Sequence, residues 1–322
     1  MREHRQPARR RAARLALSLS LLPALASAYD QPAVNMGGTS FFDGAPLPGG
    51  PGFYFVEYLT YTKATKLVDN NGNRLGFPAT QDISVFAPIS QFIYVPPGAK
   101  FGNKQLGFQM LVPWVANAKV DDGANNAILR GNTGIGDISA GVSVQYDPVM
   151  GAQGPLYSQR FELQFILPTG AYDRNATVNP GSNTWSFDPY WAGTLWASQN
   201  LSFSWRLHYL WNARNNSPNA AFGNNVSSTQ AGQAMHANFS AEYVLNPTLT
   251  IGAAGYWLQQ ITDTKVNGSD VGGRRERVVG LGPAAMVRLS ERDLLFFNVY
   301  QEFAVRNRAE NSKFQIRYDH HF

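Results

Sequence analysis

The chain has 322 residues, with 27 Lys and Arg against 22 Asp and Glu, and no cysteine. Six of the arginines and one glutamate fall in the first 28 residues, so the remainder carries 21 charges of each sign and lacks the clustered positive charge that nucleic-acid binding requires. No run beyond residue 28 approaches the roughly 18 apolar residues of a membrane helix, so a membrane passage has to be built from strands.

Residues 1–28 read as a signal peptide. Arg2, Arg5, Arg9, Arg10, Arg11 and Arg14 precede the apolar LALSLSLLPALASA, whose small-residue ending sets cleavage near Ala28. A mitochondrial presequence is the rival for an Arg-rich start; the compact apolar block and the A-x-A ending favour export. Residues 29–52 are rich in Gly and Pro and have no periodicity. Two readings of this leader stay open: a plug folded into a barrel lumen, with Phe41 and Phe42 as apolar contacts, or a disordered periplasmic tail.

From residue 53 to 322 the pattern is alternation. Weak strand signals at 53–62 and 81–95 are followed by QLGFQMLVPWVA, where Leu106, Phe108, Met110, Val112 and Trp114 oppose Gln105, Gly107 and Gln109. GDISAGVSVQY sets Ile138, Ala140, Val142, Val144 and Tyr146 against polar partners, and RFELQFIL does the same with Phe161, Leu163, Phe165 and Leu167. After a weak segment at 185–198, LSFSWRLHYLWN alternates Leu201, Phe203, Trp205, Leu207, Tyr209 and Trp211 with Ser202, Ser204, Arg206, His208 and Asn212. MHANFSAEY continues the design, weak signals follow at 248–260, 275–289 and 293–305, and the chain closes on KFQIRYDHHF with Phe314, Ile316, Tyr318, His320 and Phe322 on one side. Helical spacing fits none of the strong segments. The expected fold is therefore all-β: a transmembrane antiparallel β-barrel of about 12 strands, apolar outside and polar within.

Connections alternate in length. The odd ones, such as 63–80, 118–133, 169–184, 212–231 and 261–274, are long, and most even ones are as short as QN, NP and SERD. Long external loops and short periplasmic turns have this asymmetry, which puts both chain ends on the periplasmic side. Trp114, Trp185, Trp211 and Trp257 then fall near the outer strand ends and Tyr146, Phe161 and Phe322 near the inner ones, as interfacial rings prefer. Pro88, Pro113 and Pro283 sit inside strands, where a missing N–H implies bulges or displaced boundaries.

The stretches PGFYFVEYLTYTKATKLVDNNGNRLG, LPTGAYDRN, NTWSFDPYWAGTLWA, WRLHYLWNARN, GYWLQQITDTKVNG and RERVVGLGPAAMV, spread from residue 51 to the end, resemble as a set the outer-membrane transporter family labelled for the meta-pathway of phenol degradation. The resemblance implies a barrel in the bacterial outer membrane that takes up small aromatic or other hydrophobic compounds passively. It brings no catalytic residues.

Inward positions Arg160, Glu162, Arg206, His208, His236, Glu242, Arg317 and Asp319 are the candidates for the lumen and its selectivity, either as a constriction or as a hydrated, self-paired lining. Phe322, the aromatic end of the last strand, is the candidate signal to the barrel-assembly machinery; outer-membrane lipid and a small hydrophobic solute complete the expected partners. No cofactor is expected and no metal: His320 and His321 point to opposite faces of their strand. A structural or adhesive barrel binding partners through Asn-rich loops such as NARNNSPNAAFGNN is the alternative. A lipid hydrolase comes third, since His236 and Ser240 share a face but lie roughly 13 Å apart along a strand, and no lipase motif is present.

Overall fold

The computed structural model describes residues 31–75, 82–121, 131–176 and 178–322. The expected signal peptide and its cleavage point lie outside the described residues.

Twelve strands form the wall. They are β1 (Gly52–Val68), β2 (Asp82–Val95), β3 (Lys104–Val115, resuming at Asn117–Asp121), β4 (Gly134–Ile135 and Ser139–Tyr146), β5 (Gly154–Ile166), β6 (Ser186–Phe187 and Tyr190–Trp196), β7 (Leu201–Asn212), β8 (Ala234–Val244), β9 (Leu249–Gln260), β10 (Arg277–Arg288), β11 (Asp293–Arg306) and β12 (Arg308–His321). Each pairs antiparallel with its chain neighbours. The last returns to the first in a ladder from Tyr54↔His321 to Val68↔Arg308, so the cylinder is closed. Closure is what lipid demands, because an open edge would leave N–H and C=O groups with no partner in hydrocarbon.

Strand faces follow the alternation. Phe108, Leu163, Phe203, Tyr209, Phe239 and Phe314 are exposed on the outside, while Ser204, Arg206, His208, His236, Asn238, Glu242 and Gln315 are buried within. The arrangement inverts a soluble protein, with the apolar surface left for acyl chains. Aromatic rings meet at both ends of the wall: Trp185 lies 4.9 Å from Trp211, and Phe322 lies 5.4 Å from Phe53.

Strand ends differ from the sequence expectation. β1 runs to Val68 instead of residue 62, and β5 starts at Gly154 instead of residue 160. β12 begins at Arg308, separated from β11 by Asn307 alone, whose φ of 53° an asparagine tolerates. These extensions are polar or mixed on both faces and carry no hydrophobic alternation, so only backbone pairing defines them.

The prolines sit at faults in the ladder. Between the pairs Ile89↔Pro113 and Phe86↔Asn117 the register advances by one residue, a bulge that absorbs the missing N–H groups of Pro88 and Pro113. Pro283 pairs with Ala253 on one side, and the ladder to β11 skips it on the other.

The leader lies inside the cylinder. Residues 31–51 carry no strand, yet they bond to inward side chains of β6, β7, β8, β11 and β12. Phe41 is buried in one apolar cluster with Ala254, Tyr256, Leu258, Val278, Met286, Phe296 and Tyr300, and Val34, Met36 and Phe42 pack against that cluster. A Gly/Pro-rich segment has no periodic face of its own, and its backbone groups are satisfied by the bore.

Candidate functional site: the bore and the leader within it

The leader is held by its backbone as much as by side chains. The Gly37 N–H donates to Asn238 Oδ1 at 2.7 Å, the Phe42 N–H to Glu242 Oε1 at 3.2 Å and the Gly44 N–H to Thr194 Oγ1 at 2.9 Å. On the opposite wall the Tyr300 hydroxyl donates to Gly37 O at 2.9 Å, and Lys313 Nζ donates to Met36 O at 2.6 Å. Strands on both sides of the bore therefore grip the same chain. Two glycines are required here: Gly37 has a φ of 76° and faces the rings of Tyr256 and Tyr300, while a Cβ on Gly44 would stand 2.3 Å from the backbone of Gly193 in β6.

Asp43 is the electrostatic centre. Arg206 grips its carboxylate with two donors, Nε to Oδ2 at 2.9 Å and Nη2 to Oδ1, and Arg160 Nη2 donates to its carbonyl at 2.9 Å. The guanidinium of Arg206 also stacks on Tyr190, with Cζ 4.3 Å from the ring centre. The Tyr190 hydroxyl donates a hydrogen bond to Glu162 Oε2 at 2.7 Å, which ties β5, β6 and β7 into one network. Burial alone would raise the Asp43 carboxyl, but the attraction of Arg206 and Arg160 outweighs it and holds the group below the usual carboxylate range.

The structure places all eight expected lumen residues on the inner face and divides them into groups. Arg160, Glu162 and Arg206 join through Asp43 and Tyr190. Glu242 accepts from Ser204 at 2.6 Å and from the leader. His208 and His236 stack with ring centres 4.1 Å apart, both touching Asp188. Arg317 stands apart, 3.0 Å from Asp319 and over the ring of Phe296. Self-pairing prevails, and the leader supplies part of it. Both expected leader aromatics face the apolar cluster; Phe41 is the buried one and Phe42, at φ 56°, packs against it.

Three features escape sequence reasoning. Asp43 sits in an aperiodic segment, so nothing local marks it as the partner of two strand arginines. Asp188 and Pro189 interrupt β6, which hides that Ser186, Asp188 and Tyr190 share the inward face. The inner face of β9–β11 is mostly apolar, broken by Thr250, Gln260, Asn298 and Glu302, and in the IGAAGYWL stretch both faces are apolar, so no alternation signals it. A shallow apolar depression of about 270 Å³ also lies beside Pro189, lined on the outer side by Phe161, Leu163, Trp191, Leu207, Tyr209 and Met235.

The residues of the other two readings have defined places. His236 Nε2 is 2.9 Å from Asp188 Oδ1, and Ser240 pairs across the strands with Ser204. In the Asn-rich loop, Asn215 accepts from the Ser217 N–H, and Asn219 caps a short 3₁₀ turn at Ala220–Phe222.

A closed cylinder with a lipid-facing apolar exterior, a polar half-bore and an internal segment defines a transmembrane barrel of the outer-membrane type. The chain belongs to the family described as "Putative MetA-pathway of phenol degradation", which it matches over residues 64–318. Among solved structures, an outer membrane channel from Pseudomonas putida F1 is similar, with 16% identity over 90% of this chain and 100% of that one and a TM-score of 0.75. Slighter similarities are to the translocator domain of an autotransporter from Neisseria meningitidis (12% identity, 85% and 90% covered, TM-score 0.45) and to a toluene transporter from Ralstonia pickettii (10%, 92% and 99%, 0.42). The first similarity shows the fold; the other two carry no argument. Comparison with curated proteins finds no significant sequence match.

Proposed function

We propose that this chain is a passive channel of the bacterial outer membrane for small aromatic or other hydrophobic molecules. The observation that carries the reading is the apolar strip on the inner wall, where Tyr256, Leu258, Val278, Met286 and Phe296 face the bore. Such a surface suits an apolar solute, which gains roughly 25 cal/mol for each Å² it covers on leaving water. Membership of the phenol-degradation family supports the same class of solute. Phe41 and Phe42 occupy the strip, so they stand in for the solute, and passage requires the leader to shift or the solute to compete with it. The eight lumen residues then position the leader and wet the rest of the bore, and their balanced charges disfavour strong ion selectivity. In the Asn-rich loop Asn215 and Asn219 hold backbone groups, while Asn216, Asn224 and Asn225 are exposed and stay open to an adhesive partner. The test is solute flux in liposomes containing the folded mature chain, with and without residues 31–51. Uptake of a monoaromatic compound exceeding that of a sugar of similar mass is expected; no flux from either form sinks the reading and favours the adhesive alternative.

A further inference from the structure

Asp188 on β6, His208 on β7 and His236 on β8 form a cluster on three consecutive strands. His208 and His236 are direct cross-strand partners, and His208 opposes Tyr190, two residues beyond Asp188 on the same face. One ligand atom from each lies within 4.8 Å of the other two, and all three side chains are buried. A plain hydrogen-bonded triad accounts for only part of this. His236 Nε2 bonds to Asp188 Oδ1 at 2.9 Å. His208 Nδ1, at 3.2 Å from Oδ2, lacks hydrogen-bond geometry and has no partner, and neither does His208 Nε2 or His236 Nδ1. Buried ring nitrogens without partners are costly in a native interior.

We propose that Asp188, His208 and His236 bind a divalent transition-metal ion, with Zn²⁺ the best fit. Two imidazoles and one carboxylate are a ligand set that this ion takes, with bonds of about 2.0–2.1 Å that place tetrahedral ligand atoms roughly 3.3 Å apart. Each ring already stands near that spacing from the carboxylate, His208 Nδ1 at 3.2 Å from Oδ2 and His236 Nε2 at 2.9 Å from Oδ1, and a small rotation of the carboxylate would bring one oxygen to both. An all-oxygen site for Ca²⁺ or Mg²⁺ would not include the two rings. The ion sits where β6 lacks strand pairing at Asp188 and Pro189, and it cross-links β6, β7 and β8 at this fault. Three protein ligands leave the fourth position to water or to a group entering from the bore.

The test uses the mature chain without a polyhistidine tag, refolded in detergent with one equivalent of Zn²⁺ or Co²⁺, then freed of excess metal by gel filtration. One ion per folded chain is expected, and the cobalt form should show the intense visible absorption of a tetrahedral site. His208→Gln and His236→Gln should each weaken retention by about tenfold or more. Should either variant fail to fold, X-ray absorption at the zinc edge of the unaltered protein counts imidazole ligands directly. Two imidazoles support the site; none or one overturns it. Retention of less than about a tenth of an equivalent by the folded chain, or retention unchanged in both folded variants, overturns it too.

Discussion

Removal of the Asp43 carboxylate is the perturbation the bore should feel most. In Asp43→Ala, Arg206 loses both donors' partner and Arg160 loses a contact at 3.4 Å, while both guanidiniums remain buried to within about a tenth of their surface. Breaking a buried ion pair from one side costs about 3–5 kcal/mol, because the surviving charge has neither partner nor water. That cost has a ceiling here. If the leader leaves, water can enter the bore and hydrate the arginines, so the penalty cannot exceed the free energy that docks the leader. The expected result is release of the leader from an intact barrel, not unfolding. The absence of cysteine makes this measurable: in a Ser40→Cys background the probe is buried when the leader is docked, and Ser40 Oγ makes no hydrogen bond that the change would lose. Maleimide labelling then reports the undocked fraction. At about 1.4 kcal/mol per decade, Asp43→Ala should raise the labelling rate by about two to three and a half orders of magnitude, up to the rate of a free thiol. Adding Arg206→Met, which removes the stranded cation, should recover part of the protection. A folded Asp43→Ala barrel that labels within about twofold of its parent would refute the electrostatic account of docking.

The same probe serves three further changes. Gly44→Ala places a methyl against the backbone of Gly193 and should accelerate labelling, whereas Pro46→Ala, at an exposed leader position, should not. Tyr300→Phe deletes the donor to Gly37 O and should cost about 0.5–1.5 kcal/mol, or about tenfold in labelling at most. Because the Asp43 carboxyl titrates below its ordinary value in the docked state, its contribution is complete above the ordinary value and is lost as pH falls through the lowered one; labelling, taken relative to a free thiol at the same pH, should stay flat near neutrality and rise only in acid. On the outer wall, Leu163→Arg should lower the folding free energy in bilayers by about 2–4 kcal/mol if that position lies at mid-membrane, read from denaturant titration, while Gln164→Arg on the inner face should cost less. Phe322→Ser should reduce barrel assembly in cells yet leave detergent refolding unchanged, as its ring lies at the rim against Phe53 and His320.

The sequence alone determined the barrel. Strict period two in segments such as LSFSWRLHYLWN, with no charge on the apolar face, leaves lipid outside and water inside as the only consistent assignment. All eight lumen positions follow from that parity. What tertiary structure decided is everything that depends on contacts across the bore. The leader has no period, so its place inside follows only from the meeting of Asp43 with Arg160 and Arg206, and of Phe41 with the inner strip of β9–β11. His208 and His236 lie 28 residues apart, with Asp188 a further 20 upstream of His208; only cross-strand register brings them together, because side chains that oppose one another in a sheet carry no mark of it in their own neighbourhood.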